Sequence, residues 1–153
     1  TRAAFVRHNN VYVVNLSDLK ETPITTDGKH NEIINGSTDW VYEEELGFAQ
    51  AFYWSPDGRY LAYYRFDETR VREYNMQKWN RGQLYPEDYR FKYPKAGEAN
   101  ALVDIFIRDV NSGVVVKADL GTETDRYIPR VKWTTTPGLL SVRTLNRLQN
   151  EMT

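Results

Sequence analysis

The sequence predicts an all-β fold: four-stranded antiparallel blades of a β-propeller, about two to three of them, in a ring that this chain does not close, with one short helical turn. Three observations predict it. Short runs rich in β-branched and aromatic residues alternate with turn pairs such as Asp27-Gly28 and Asn35-Gly36. Two segments repeat: Val11–Leu16 matches Ile105–Val110, and Phe52-Tyr53-Trp54-Ser55 with Leu61 matches Val131-Lys132-Trp133-Thr134 with Leu140. The repeating unit is therefore an inner hairpin followed by an outer hairpin, and aromatic landmarks recurring in four-stranded units are what a propeller requires. A β-sandwich is the structural alternative, but it does not explain the repeated order of landmarks.

Residues 1–28 read as the end of one blade. Ala3–Arg7 and Val11–Leu16 form a hairpin across His8-Asn9-Asn10, and Thr22–Thr25 adds a third strand after the polar turn Ser17–Glu21. Ile33-Ile34 leads into an acidic turn at 35–48. A full blade with an insertion spans 51–118. Within it Phe52-Tyr53-Trp54 stops at Ser55-Pro56-Asp57-Gly58, where proline presets φ and glycine supplies the positive φ of a tight reversal. In the return strand Arg59–Phe66, Tyr60, Ala62 and Tyr64 alternate with Leu61, Tyr63 and Arg65, both sets largely apolar, as expected of a strand covered on both faces. Glu68–Pro94 is charged, studded with aromatics and without a clean period; so long an excursion between two strands of one blade needs a functional reason. Leu102–Val110 resumes the strand pattern, turns at Asn111-Ser112-Gly113 and returns through Val114–Lys117. A partial blade, 127–153, holds a hairpin of Pro129–Trp133 and Leu139–Leu145. Because the chain begins and ends inside patterned sequence, it reads as part of something longer.

Composition narrows the function. The 153 residues carry a net charge of −1, with no basic excess to suggest nucleic acid. No apolar run approaches the ~20 residues of a membrane span. With no cysteine, thiolate chemistry and disulfides are excluded. His8 and His30 are isolated turn or surface residues, which makes a zinc site improbable. No G-x-S-x-G, phosphate loop or triad is present, so neither catalytic residues nor cofactor or metal ligands are expected within this stretch.

What remains is the stretch Asn35–Phe48, NGSTDWVYEEELGF. Asp39 is placed to cap a helical turn over Asp39–Leu46, and Gly47 to close it. Glu43, Glu44 and Glu45 are consecutive and do nothing for an isolated helix. Two readings stand at this point: a solvated acidic turn, or two carboxylates converging on a cation. A primary ammonium, with three donors and a pKa near ~8 for an α-amino group, suits two carboxylate acceptors.

Asp39-Trp40-Val41-Tyr42-Glu43-Glu44-Glu45 after Asn35-Gly36, then Trp54-Ser55-Pro56-Asp57-Gly58, then Tyr93-Pro94-Lys95-Ala96-Gly97 together resemble the N-terminal propeller of the dipeptidyl peptidase IV family, in the prolyl oligopeptidase group of serine peptidases. The D-W-V-Y-E-E-E string is the specific element; W-S-P-D-G alone indicates a broader class of propellers. The resemblance implies an enzyme that removes dipeptides, usually after proline or alanine, from peptides with a free N-terminus. It implies that Glu44 and Glu45 bind the substrate ammonium, while Asp39, Trp40, Tyr42 and Glu43 support the motif. It implies a catalytic α/β-hydrolase domain later in the same chain, and a supporting arginine from an earlier blade. It further implies a homodimer to which the 68–94 insertion contributes, with Tyr74, Trp79, Tyr85 and Phe91 as candidate contacts.

Lack of cysteine fits a bacterial periplasmic member of this family better than a disulfide-bearing ectodomain. The sequons Asn15-Leu16-Ser17 and Asn35-Gly36-Ser37 read as chance turn sequences. Two competing functions are a non-catalytic propeller that only binds proteins or glycans, and an endopeptidase or acyl-aminoacyl peptidase relative. Neither gives Glu44 and Glu45 a partner.

Overall fold

In the computed structural model, which describes residues 1–153, twelve strands and one short helix follow one another, and all strand pairings are antiparallel. β1 (Arg2–Arg7) and β2 (Asn10–Asn15) pair from Arg7↔Asn10 to Arg2↔Asn15, and β3 (Glu21–Pro23) adds to β2. The expected hairpin forms with a tighter turn than expected: His8 and Asn9 both have positive φ, 51° and 59°, the mirror-image turn whose twist suits paired strands. Asn10 is thereby the first residue of β2.

The central blade is built on β6 (Tyr60–Asp67). Along one edge β6 pairs over its whole length with β9 (Leu102–Asp109), and β10 (Val115–Lys117) closes the outer side. Along the other edge it meets two short strands in turn. β4 (Ile33–Asn35) lies against Arg65–Asp67, and β5 (Phe52–Trp54) against Leu61–Tyr63. Between them the Gly36 N–H donates to the Tyr64 carbonyl at 3.0 Å, and the Tyr64 N–H to the Ala51 carbonyl at 2.9 Å. The Ala51 N–H closes on the Gly36 carbonyl at 2.9 Å. β4 and β5 are thus two halves of one innermost strand, from which residues 37–50 are looped out. The acidic turn is an insertion within the blade, held by the sheet at both of its ends.

The β5–β6 turn forms as its residues require. The Gly58 N–H donates to the Ser55 carbonyl at 2.9 Å with Gly58 at φ +68°, while the Ser55 hydroxyl donates to Asp57 at 2.6 Å and accepts the Tyr60 N–H at 2.8 Å. β6 is covered on both faces. Leu61 and Tyr63 pack with Val11 and Val13 of the first sheet and with Ile24 just past β3; Tyr64 and Phe66 pack with Ile105, Ile128 and Val131 in the larger core on the other side.

The third sheet pairs β11 (Arg126–Trp133) with β12 (Leu140–Asn146). β11 starts three residues earlier than expected, and its register slips between Tyr127 and Arg130. Pro129 sits inside that irregularity, where a missing N–H breaks no ladder bond.

The 68–94 insertion is a regular hairpin of β7 (Glu73–Lys78) and β8 (Glu87–Lys92), which pair only with each other. Every residue of β7 is exposed, so neither parity is selected for burial and no period shows in its sequence.

Candidate functional site

The looped-out segment carries one helix, α1 (Trp40–Glu44). Asp39 caps it with extended backbone, its carboxylate accepting the Tyr42 N–H at 3.0 Å. Asp39 is only 7% exposed, and burial pushes its carboxyl up to about 6 against the opposing pull of the Tyr42 and Val41 N–H groups. Beyond the helix the chain turns at Gly47, φ +71°, and the Thr38 hydroxyl donates to the Phe48 carbonyl at 3.0 Å, tying the loop's two limbs together.

Three further contacts fix α1 on the sheets. The Trp40 ring rests on Tyr93, just past the end of β8, with centroids 4.3 Å apart. Tyr42 is buried, its ring edge-on to Phe66 at 4.8 Å, and its hydroxyl accepts the Ile128 N–H at 2.8 Å. The Tyr64 hydroxyl donates to the Ile128 carbonyl at 3.0 Å. Ile128 lies at the β11 irregularity, so both of its ladder groups are satisfied by tyrosines instead of β12. Burial raises both phenols far above their ordinary value, and they remain hydroxyls. At the other end of α1, Arg130 Nη1 donates to the Leu46 carbonyl at 3.3 Å and to the Pro129 carbonyl at 2.8 Å, with its guanidinium 5.7 Å from the Phe48 ring centroid.

Glu43, Glu44 and Glu45 are all exposed, and none forms an ion pair or side-chain hydrogen bond. Arg130, the cation bound to this loop, directs Nη1 to carbonyls and pairs with none of the three carboxylates. Of the four residues expected to support the motif, Asp39, Trp40 and Tyr42 make the contacts described above. Glu43 makes none; its support is limited to a negative charge in the first turn of the helix.

A second buried carboxylate lies outside the motif, close enough for the Asp39 charge to act on it. Glu68 is 6% exposed and accepts no hydrogen bond at its carboxylate; burial, reinforced by Asp39 and Asp67 and opposed by Lys92, pushes it up to about 7. Sequence reading missed Glu68, Arg130 and Ile128, because each acts on the motif from a distant segment. The Asn35 sequon is inaccessible: Asn35 is fully buried, its side-chain amide donating to Asp27 at 2.9 Å and to the Asn9 carbonyl at 3.3 Å.

On the arm, Trp79 and Tyr85 are 67% and 82% exposed, and Tyr74 is also exposed. Phe91 differs. It is half-buried in a cluster with Tyr74, Tyr89 and Tyr93, at centroid distances of 6.1, 5.6 and 6.1 Å, and so supports the hairpin itself.

Comparison with known proteins agrees with this architecture. Residues 1–153 match the family model described as "Dipeptidyl peptidase IV (DPP IV) N-terminal region". The chain is 38% identical over 161 residues to "Dipeptidyl peptidase 4" of Sus scrofa, covering 97% of this chain and 21% of that protein. It is 39% identical over 160 residues to "Probable dipeptidyl-aminopeptidase B" of Verticillium alfalfae, covering 95% of this chain and 18% of that protein. Among solved structures it superposes on Porphyromonas gingivalis dipeptidyl peptidase 4 with a TM-score of 0.92 and 44% identity, over 99% of this chain and 21% of that one. The chain thus spans about a fifth of the length of the relatives it matches. An open, antiparallel all-β structure with the D-W-V-Y-E-E-E helix looped out of an inner strand, together with these matches, places the chain in the dipeptidyl peptidase IV N-terminal region family.

Proposed function

We propose that this segment is the substrate-recognition part of a dipeptidyl peptidase IV-like serine exopeptidase, with Glu44 and Glu45 anchoring the free N-terminus of the peptide. The observation that carries the reading is a pair of exposed, cation-free carboxylates on a helix fastened at both ends. Asp39 and Tyr42 hold its start and middle, and Arg130 holds the turn after it. A floppy acidic loop would need no such fastening.

An ammonium donates to both carboxylates at once, and charge-assisted bonds of this kind are the strong ones. Holding the N-terminus at a fixed place makes the site a ruler: a nucleophile at a set distance meets only the second peptide bond, after the proline or alanine residue. The serine, aspartate and histidine belong, in this reading, to an α/β-hydrolase domain of the same longer chain, since the relatives are about five times as long. The β7–β8 arm, with Trp79 and Tyr85 outward, serves as the contact that pairs two subunits in that parent enzyme, which works in the periplasm or another extracytoplasmic space. The test compares free and N-acetylated peptides in wild-type, Glu44→Gln and Glu45→Gln enzymes. A non-catalytic interaction module would leave the two carboxylates without a partner.

A further inference from the structure

α1 has five residues, little more than one turn, and a helix so short does not hold itself; its packing decides where its side chains point. Tyr42 fastens it from one side, through the Phe66 ring and the Ile128 N–H. Asp39 and Arg130 act at its two ends. Successive helical residues are rotated by about 100°, so Trp40, two positions before Tyr42, leaves on nearly the opposite side. Glu44, four residues after Trp40, shares that side, and Glu45 stands in the same relation to Val41. Rocking of the helix about its Tyr42 contact would therefore swing both carboxylates. What opposes it is the Tyr93 ring, 4.3 Å from Trp40 between centroids, the shortest of the ring pairs in the chain.

Tyr93 is itself fixed by the root of the β7–β8 arm. Its N–H donates to the Arg72 carbonyl at 3.0 Å, one pair beyond Glu73↔Lys92, which extends the ladder of the hairpin. Its ring meets Tyr74 at 5.6 Å and Phe91 at 6.1 Å. Beside it Lys92 Nζ donates to the Val71 carbonyl at 2.7 Å, closing the root over a residue buried in the main core. Trp40 and Glu45 line one wall of the cleft whose other wall includes Tyr93, Pro94 and Lys95. We propose, on the reading that Glu44 and Glu45 hold the substrate ammonium, that Tyr93 is a positioning residue for that anchor. Its ring props α1 on the side away from Tyr42 and so sets where the two carboxylates meet the N-terminus. Tyr93 acts through Trp40 and touches no substrate atom. The root of the arm thus has a role within its own subunit, apart from any contact made at the tip.

The experiment uses the full-length enzyme and an Ala-Pro amide with a free N-terminus. It reads kcat and KM for Tyr93→Ala and Tyr93→Phe, each in the wild-type background and in the Glu44→Gln/Glu45→Gln background. In the wild-type background Tyr93→Ala should lower kcat/KM roughly three- to tenfold, mostly through KM, the range that an aromatic pair contributes. Tyr93→Phe keeps the ring and should match wild type. Without the two carboxylates, Tyr93→Ala should change kcat/KM by less than about twofold, because the groups that it displaces no longer bind. A merely structural loss lowers both backgrounds by the same factor and overturns the proposal. Wild-type kinetics in Tyr93→Ala overturn it too, as does a Tyr93→Phe enzyme as impaired as Tyr93→Ala. If Tyr93→Ala does not fold, Tyr93→Leu, which leaves an apolar side chain at the root of the arm, takes its place in the same comparison. If the Glu44→Gln/Glu45→Gln enzyme turns over the amide as wild type does, the ammonium reading fails and the positioning role falls with it. If that enzyme is strongly impaired while Tyr93→Ala costs the same in both backgrounds, the positioning role alone fails.

Discussion

The Tyr42 hydroxyl accepts the backbone N–H of Ile128 at 2.8 Å, joining the acidic helix to the next blade through one buried bond. The sheet cannot replace it, because Ile128 lies where β11 slips its register against β12. Tyr42→Phe keeps the ring against Phe66 and strands the N–H, which should cost about 1–3 kcal/mol. Urea unfolding should show the loss at an unchanged slope. Adding Tyr64→Phe, which frees the Ile128 carbonyl, should give a non-additive double mutant because both hydroxyls share one residue.

Gly36 is where the inner strand leaves the sheet. It has φ +74°, and a Cβ built there would lie 2.4 Å from Val11 Cγ2 and 3.0 Å from Val6 Cγ2. Gly36→Ala therefore meets both backbone strain and a clash across the blade interface, and should destabilise by roughly 1–3 kcal/mol. Thermal unfolding checks it, and Gly47→Ala, whose Cβ meets nothing within 4 Å, separates the strain from the clash.

Asp39 and Glu68 set a pH dependence of definite sign. In the folded chain they titrate near 6 and 7, whereas unfolded carboxylates titrate near ~4. Between these limits the native state binds more protons, so their contribution makes stability fall as pH rises from about 4 to 7, by a few kcal/mol for each group. Asp109 does not interfere in this window. Its carboxylate is held down to about 2, chiefly by the Asn111 and Ser112 N–H groups, and its contribution is lost only below about pH 4. Urea midpoints measured across this range should show a flatter profile in Glu68→Gln than in wild type. Asp39→Asn, which keeps a capping oxygen, should flatten it as well.

The arm makes a separable prediction. Trp79 and Tyr85 are outward, whereas Phe91 packs inside the hairpin's own aromatic cluster. On the proposal that the arm pairs subunits, Trp79→Ala with Tyr85→Ala should shift the full-length protein toward a lower sedimentation coefficient in analytical ultracentrifugation, because aromatic anchors dominate such contacts. Phe91→Ala should instead lower the stability of the arm.

The features legible in the sequence are those that neighbouring residues determine. Asp39 announces the helix three residues before the N–H that it caps, and the turn at Ser55-Pro56-Asp57-Gly58 is closed by groups within Ser55–Tyr60. The joining of β4 and β5 into one inner strand was not legible. It depends on Tyr64 bridging Gly36 and Ala51, residues fifteen apart along the chain, with the loop between them. The two strands of the arm were hidden for the opposite reason: β7 buries nothing, so burial imposes no alternation on it. Within the site, Glu44 and Glu45 are singled out only by the resemblance of their motif to a family. Arg130 and Ile128, which fasten the motif from β11, carry no local signal at all.

The measurement closest to the central claim is kcat/KM for release of a dipeptide from a peptide with a free N-terminus and from its N-acetylated form, in wild-type, Glu44→Gln and Glu45→Gln enzymes. Each carboxylate is expected to contribute a charge-assisted contact of about 1.5–3 kcal/mol, and ~1.4 kcal/mol is a factor of ten. Each substitution should therefore lower turnover of the free peptide at least tenfold. Acetylation should depress wild-type turnover strongly and add little further loss in the variants, since the contact that it abolishes is already weakened. Wild-type rates on the free peptide in both variants would contradict the assignment of Glu44 and Glu45 as the ammonium anchor.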